Sequence, residues 1–338
     1  MTKRTLHTNI LTLLLLMLHT ATWAQYDLLS AKKGVVKDGY DFWVYTPDDY
    51  YFSQEQTPLI IFLHGASRCG RDMKRCLQYG PVDAVKMGRQ IPALIVTPQN
   101  PGGAWNPRRL NNILEWMKKN YSFDDTRVYV IGMSLGGYGT LDFAGTYPDK
   151  IAAAIALCGG STLKDYRGLG ELPLWIVHGT ADRAVSVRES QKVVEGMKIL
   201  GATERLRYDW MPGASHGALA RFFYTDKTYD WLFQHALSDP RRPINTNIDI
   251  TKTDLSQAYR DIKRRTDELM NSNLNLITTN NSYHRHICFL TKETLLVVNH
   301  YNNEKSIKAT KNSGIVSVFH PYGCFGCHRD AFGCSTER

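Results

Sequence analysis

The segment Gly132-Met133-Ser134-Leu135-Gly136-Gly137 sets a serine between glycines, directly after the Val/Ile-rich run Arg127–Ile131 and directly before a stretch of helical character. In so tight a strand-to-helix reversal a Cβ on a flanking glycine clashes, and the serine is held strained with its hydroxyl above the sheet. A serine hydroxyl is a poor nucleophile near neutral pH: it needs a general base, and the base needs an orienting carboxylate. Two later loops offer them in the order this topology requires. Asp182 falls in Gly179-Thr180-Ala181-Asp182, after the run Leu174–His178, and His216 falls in Pro212-Gly213-Ala214-Ser215-His216, after the run Leu206–Trp210. The chemistry of such a set is acyl transfer through Ser134, His216 and Asp182. Rival residues read otherwise: His178 as structural at a strand tip, Asp209 as a strand residue, Asp226 as a helix cap, His64 as a loop organiser and His235 as a solvated helix-end histidine.

Acyl transfer creates an oxyanion that preorganised N–H groups must meet. Leu135, the residue after the serine, supplies one amide at a helix N-terminus. The run Leu59–Leu63 continues into His64-Gly65-Ala66, where Gly65 lets the backbone pass close to substrate and the Ala66 amide is the candidate second donor. Trp105 and Tyr138 are candidate rim aromatics able to stack on a sugar or aromatic acyl group.

These residues need a scaffold. Short β-rich runs at Phe42–Tyr45, Leu59–Leu63, Ala93–Thr97, Arg127–Ile131, Ala152–Leu157, Leu174–His178 and Leu206–Trp210 alternate with helical stretches at Leu110–Asn120, Leu135–Thr146, Val185–Leu200 and Tyr224–His235. Several runs are continuously apolar, as strands covered on both faces are. The expectation is an α/β fold: a mostly parallel, twisted sheet with helices on both faces. Between Cys158 and Pro173 the connection is too short for a helical lid, so no large lid is expected. Residues 25–239 form this catalytic domain. The pair Pro240 and Pro243 marks a linker, and residues 240–270 hold an amphipathic helix with Leu255, Tyr259, Ile262 and Leu269 on one face and Thr253 as its cap. Residues 271–338 lack periodicity and read as a weakly structured, irregular extension of unknown role.

The set His64-Gly65-Ala66, Gly132-Met133-Ser134-Leu135-Gly136, Asp182 and His216 resembles the α/β-hydrolase superfamily. Its surroundings, with Pro98-Gln99-Asn100-Pro101-Gly102-Gly103-Ala104-Trp105, are similar to the secreted single-domain esterases grouped with feruloyl esterases, polyhydroxybutyrate-depolymerase-like enzymes and phospholipase/carboxylesterases. The resemblance covers residues 35–237. It implies that Ser134 attacks an ester carbonyl, His216 carries the proton, Asp182 holds the imidazole, and water resolves an acyl-enzyme. Two other readings are open: a serine peptidase of prolyl-oligopeptidase type, and an inactive carbohydrate-binding protein on the same fold.

Composition narrows the partners. The 338 residues carry a net charge of +9, which invites a nucleic-acid partner. However, residues 240–338 hold 14 Lys and Arg against 9 Asp and Glu, and Lys3 and Arg4 add two more charges at the start. The body is therefore close to neutral and lacks a nucleic-acid footprint, which suits a small-molecule or polymer-borne ester instead. Lys3 and Arg4, the apolar run Ile10 to Leu18, and Ala24-Gln25 read as a signal peptide over residues 1–24, giving a secreted or periplasmic protein with no membrane span after cleavage. Export permits disulfides, and among seven cysteines Cys69 and Cys76 are spaced to close a small loop, while Cys158 reads as a buried thiol. Cys324-Phe325-Gly326-Cys327-His328 spells the covalent haem motif, but no methionine follows as axial ligand. No metal or cofactor is expected.

Overall fold

The computed structural model describes residues 28–51, 53 and 56–264. The leader, Leu269 and the Cys324-Cys327-His328 motif lie outside the described residues. Eight strands form one sheet: β1 (Leu29–Lys32), β2 (Asp41–Tyr45), β3 (Leu59–Leu63), β4 (Leu94–Gln99), β5 (Val128–Met133), β6 (Ala153–Leu157), β7 (Leu174–Gly179) and β8 (Leu206–Met211). Their spatial order is β1-β2-β4-β3-β5-β6-β7-β8. The pairs β1–β2 and β2–β4 are antiparallel, and every later pair is parallel. The seven runs expected from the sequence are all strands, with ends that agree to within two residues. The short strand β1, Leu-Ser-Ala-Lys, has no alternation to betray it and is held by pairing with β2.

Helices cover both faces: α1 (Pro81–Lys86), α2 (Pro107–Asn120), α3 (Leu135–Thr146), α4 (Val187–Ile199), α5 (Asp226–Phe233) and α6 (residues 252–264). Alternation along a strand sorts side chains between two core layers. In β3, Leu59, Ile61 and Leu63 join the layer under α2, α3 and α4, while Ile60 and Phe62 join the layer under α1, α5 and α6. Helix α2 starts three residues before its apolar periodicity, because Asn106 caps it by accepting from the Arg109 amide at 3.2 Å and Pro107 fits its first turn. The stretch Tyr224–His235 holds one helix, α5, two residues shorter at each end, and Tyr224 instead closes a 3-10 segment, His216–Tyr224.

Beyond α5 the chain is pinned to the sheet. Arg242, with φ 47°, donates to the carbonyls of Pro148, Ile151 and Ala152. His235 is buried rather than solvated, accepting from the Asn245 amide at 3.0 Å and bonding the Trp231 carbonyl. In α6, Leu255, Ala258 and Ile262 are buried, while Tyr259 is exposed and packs against Tyr224. The cap of α6 is Thr251, not Thr253. The Thr251 hydroxyl accepts from the Asp254 amide at 3.2 Å, and the Asp254 carboxylate accepts the Thr251 amide at 2.7 Å, a reciprocal capping box.

Cys69 and Cys76 are free thiols. Cys76 is buried and donates to the Met73 carbonyl, and burial pushes its thiol up to about 12. No helix among the described residues is long and apolar enough to cross a membrane.

Candidate active site

The C-terminal ends of four adjacent strands carry the site. β5, β6, β7 and β8 lie side by side, with Met133 paired to Leu157 and Gly179 paired to Met211. Just past those ends stand Ser134, Cys158, Asp182 and His216. Ser134 adopts φ 61° and ψ −123°, a strained conformation for a residue with a side chain, and its amide donates to the Leu157 carbonyl at 2.9 Å. The neighbouring glycine makes the turn possible. A Cβ on Gly136 would lie 1.8 Å from the Leu63 carbonyl oxygen. Ser134 is half-buried as a residue, and its hydroxyl makes no hydrogen bond among the described residues.

Asp182 and His216 are joined directly, with Oδ2 of the carboxylate 2.7 Å from Nδ1 of the imidazole. The Asp182 side chain is fully buried, and its Oδ1 accepts from the amides of Ala184 and Val185 at 2.8 and 2.9 Å. Burial alone would raise this carboxyl, but the amides and the His216 ring outweigh it and hold it below the usual range. The Asp182 and His216 loops are laced together, since the Ala181 amide donates to the Ala214 carbonyl at 3.1 Å.

The loop after β3 approaches the serine closely, with a Cβ on Gly65 falling 3.3 Å from Cβ of Ser134. His64 organises this loop. Its Nε2 accepts from the Asn100 amide at 3.0 Å, so its proton sits on Nδ1, which donates to the Gly65 carbonyl at 2.9 Å. Burial lowers His64 to about 4, which keeps the ring neutral. In a trans peptide the N–H points opposite to the C=O, so fixing the Gly65 carbonyl inward turns the Ala66 amide outward. Neither the Ala66 nor the Leu135 amide has an acceptor among the described residues.

The two rim candidates part company. Trp105 is only 3% exposed: its indole donates to the His64 carbonyl at 3.2 Å and its ring packs edge-on against His64 and Tyr40. It supports the loop from beneath and presents no ring to solvent. Tyr138 is half-exposed on the first turn of α3, over Gly160 and 3.4 Å from a Glu189 oxygen. The connection from β6 to β7 is short and tied down. Asp142 of α3 accepts from the Ser161 and Thr162 hydroxyls at 2.6 Å each, and no helical lid rises from it.

The profile of the Dienelactone hydrolase family matches residues 98–230. A bifunctional acetylxylan esterase/xylanase of Neocallimastix patriciarum is 26% identical over 159 residues, 45% of this chain and 22% of that protein. Poly(3-hydroxyalkanoate) depolymerase C of Paucimonas lemoignei is 43% identical over 51 residues, 15% of this chain and 12% of that protein. The chain thus spans less than a quarter of the length of either relative. A crystal structure described as a thermostable esterase superposes with a TM-score of 0.51 at 22% identity, covering 62% of this chain and 64% of its own. The fold is that of an α/β-hydrolase.

Within this fold, two residues beside Ser134, Asp182 and His216 escaped a functional reading in the sequence. His178 is buried beside Asp182, with Nε2 3.3 Å from Oδ2 and 3.0 Å from the Val185 carbonyl, and Nδ1 2.7 Å from the Ser190 hydroxyl. Cys158, with φ 40°, has its sulfur within 4.8 Å of the Asp182 and His216 ligand atoms. Only the strand order signals this second position: β6 lies between the strands that end in Ser134 and Asp182.

Proposed function

We propose that this protein is an exported serine carboxylic-ester hydrolase acting on acetyl or aromatic esters, including those borne on polysaccharide. The observation that carries the reading is the 2.7 Å bond between Asp182 and His216, two strand ends away from a serine held at φ 61°. In this reading His216 Nε2 takes the Ser134 proton as the hydroxyl attacks the ester carbonyl, and Asp182 holds the ring with its proton on Nδ1 and stabilises the imidazolium. The Ala66 and Leu135 amides donate to the developing oxyanion, with the α3 N-terminus adding its dipole. His216 then protonates the leaving alcohol, and water activated by the same ring releases the acid from Ser134. In this reading the Ser134 hydroxyl and His216 Nε2 come within hydrogen-bond reach when substrate binds, as is common in such sites.

The esterase names of the relatives support the reaction class, and acetylxylan esterase among them supports a polymer-borne substrate. A short, pinned connection after β6 supports an open site that a polymer can enter, and Tyr138 is the remaining candidate for stacking on a sugar or aromatic acyl group. The charged start, apolar run and Ala24-Gln25 junction support export.

The test is hydrolysis of p-nitrophenyl acetate, methyl ferulate and acetylated xylan by wild type and Ser134→Ala, with fluorophosphonate labelling of the serine. Wild type is expected to turn over at least one ester and to take the label. The variant should lose at least 10³-fold in kcat and refuse the label. Wild-type turnover by the variant would overturn the assignment of Ser134.

A further inference from the structure

The thiol between the two halves of the site bears on regulation. Cys158 Sγ, a carboxylate oxygen of Asp182 and a ring nitrogen of His216 all lie within 4.8 Å of one another. A tetrahedral zinc-type ion holds S, N and O ligands at about 2.0–2.3 Å, which puts ligand atoms roughly 3.3–3.8 Å apart. The three groups therefore need to move by only about an ångström to share an ion. The donor set is a mixed one of thiolate, imidazole and carboxylate, which suits a borderline or soft cation and not calcium or magnesium. Two of the ligands are anionic when bound, so they offset the charge of a divalent ion in a buried setting. Cys158 itself is fully buried, while the His216 side chain is 24% exposed, so the ion would enter past the His216 ring.

We propose that Cys158, Asp182 and His216 form an inhibitory site for a zinc- or cadmium-type divalent cation. On binding, the Cys158 thiol releases its proton to solvent and its sulfur bonds the metal. The metal takes the Nδ1 lone pair of His216, and the proton that Nδ1 shared with Asp182 moves to Nε2. The ring stays neutral, but its free nitrogen is now protonated and cannot accept the Ser134 proton. The cation thus turns the general base into the wrong tautomer without touching the serine. The loss of activity rests on the role proposed for His216, whereas the metal site rests only on the three ligands.

The experiment compares chelator-treated, full-length wild type with Cys158→Ser, and with Cys158→Ala should the serine variant fail to fold. Cadmium chloride is added while the ultraviolet thiolate-to-cadmium absorbance and p-nitrophenyl acetate hydrolysis are followed, each variant referred to its own metal-free rate. The wild-type-minus-variant difference spectrum is expected to show one cadmium–thiolate band, rising in step with loss of hydrolysis. The variant should need at least ten-fold more cadmium for half-inhibition, since loss of even an outer partner of a metal ligand costs about 10–100-fold in affinity. A chelator should restore the wild type. A null difference spectrum, or equal half-inhibition in both proteins, overturns the site, and a band with undiminished hydrolysis overturns the switch. If no ester is hydrolysed before metal is added, the proposed function fails while the difference spectrum still decides the site.

Discussion

The Asp182 carboxylate divides its work between its two oxygens, and that division predicts what an amide would do in its place. Oδ1 accepts two backbone amides while Oδ2 faces His216. In Asp182→Asn the two amides fix the side-chain oxygen where Oδ1 now sits, so the NH2 group must face Nδ1 of His216. The ring can then only accept at Nδ1, which puts its proton on Nε2 and removes its basicity toward Ser134. The expected loss in kcat is on the order of 10⁴-fold, with the far-ultraviolet circular dichroism spectrum unchanged. A loss under ten-fold would mean that His216 does not depend on this carboxylate for its tautomer. At this scale the sequence named Ser134, Asp182 and His216 from their places after apolar runs, but misjudged Trp105. An aromatic after a loop reads the same whether its ring faces solvent or, as here, packs under His64.

At the scale of elements, the turn from β5 into α3 is tightly constrained. Replacing a helical glycine by alanine ordinarily stabilises by about 0.5–1 kcal/mol. At Gly136 the new methyl would meet the Leu63 carbonyl at 1.8 Å, so either β3 or α3 must move. Gly136→Ala is expected to lower Tm and activity together, and a raised Tm in differential scanning calorimetry would refute the close approach. Helix α6 is held by its cap and its apolar face. Thr251→Ala should cost about 1 kcal/mol and Leu255→Ala about 2–5 kcal/mol in urea unfolding. No change in either would mean that α6 does not unfold with the sheet. The strands and most helices were legible because apolar runs and helical periodicity are local. The cap of α6 was not, because Thr251 and Thr253 are both plausible until the Asp254 carboxylate is seen to reach back to one of them.

For the molecule as a whole, buried histidines set the acid limit. Burial lowers His64 to about 4, whereas the unfolded ring titrates near 6.5. Between these values the unfolded chain binds the proton more readily, so the stabilising effect of keeping His64 neutral is complete above about pH 6.5 and is lost as pH falls toward 4. His64 alone should reduce stability by about 2 kcal/mol at pH 5 relative to pH 7. His178 and His235, also lowered by burial, act in the same direction. Asp182, held below the ordinary carboxylate range, adds a further loss only at still lower pH. Urea midpoints at pH 5 and 7 test this, and an equal or higher midpoint at pH 5 would contradict it.

The sequence by itself determined the order of strands along the chain, the strained serine turn, and the residues at the strand ends that are candidates for acyl-transfer chemistry. Those features depend on periodicity and on how few residue types a tight turn tolerates, and both are local. Only the tertiary structure decided what stands between them. Sheet order brings β6 between the strands bearing Ser134 and Asp182, and so sets Cys158 beside the triad positions. The two-layer core decides that Trp105 and His235 are buried, and that the Pro240–Pro243 stretch is anchored by Arg242. These are contacts between segments far apart in the chain, formed by competition for burial and backbone hydrogen bonds, and no spacing within one segment encodes which partner wins.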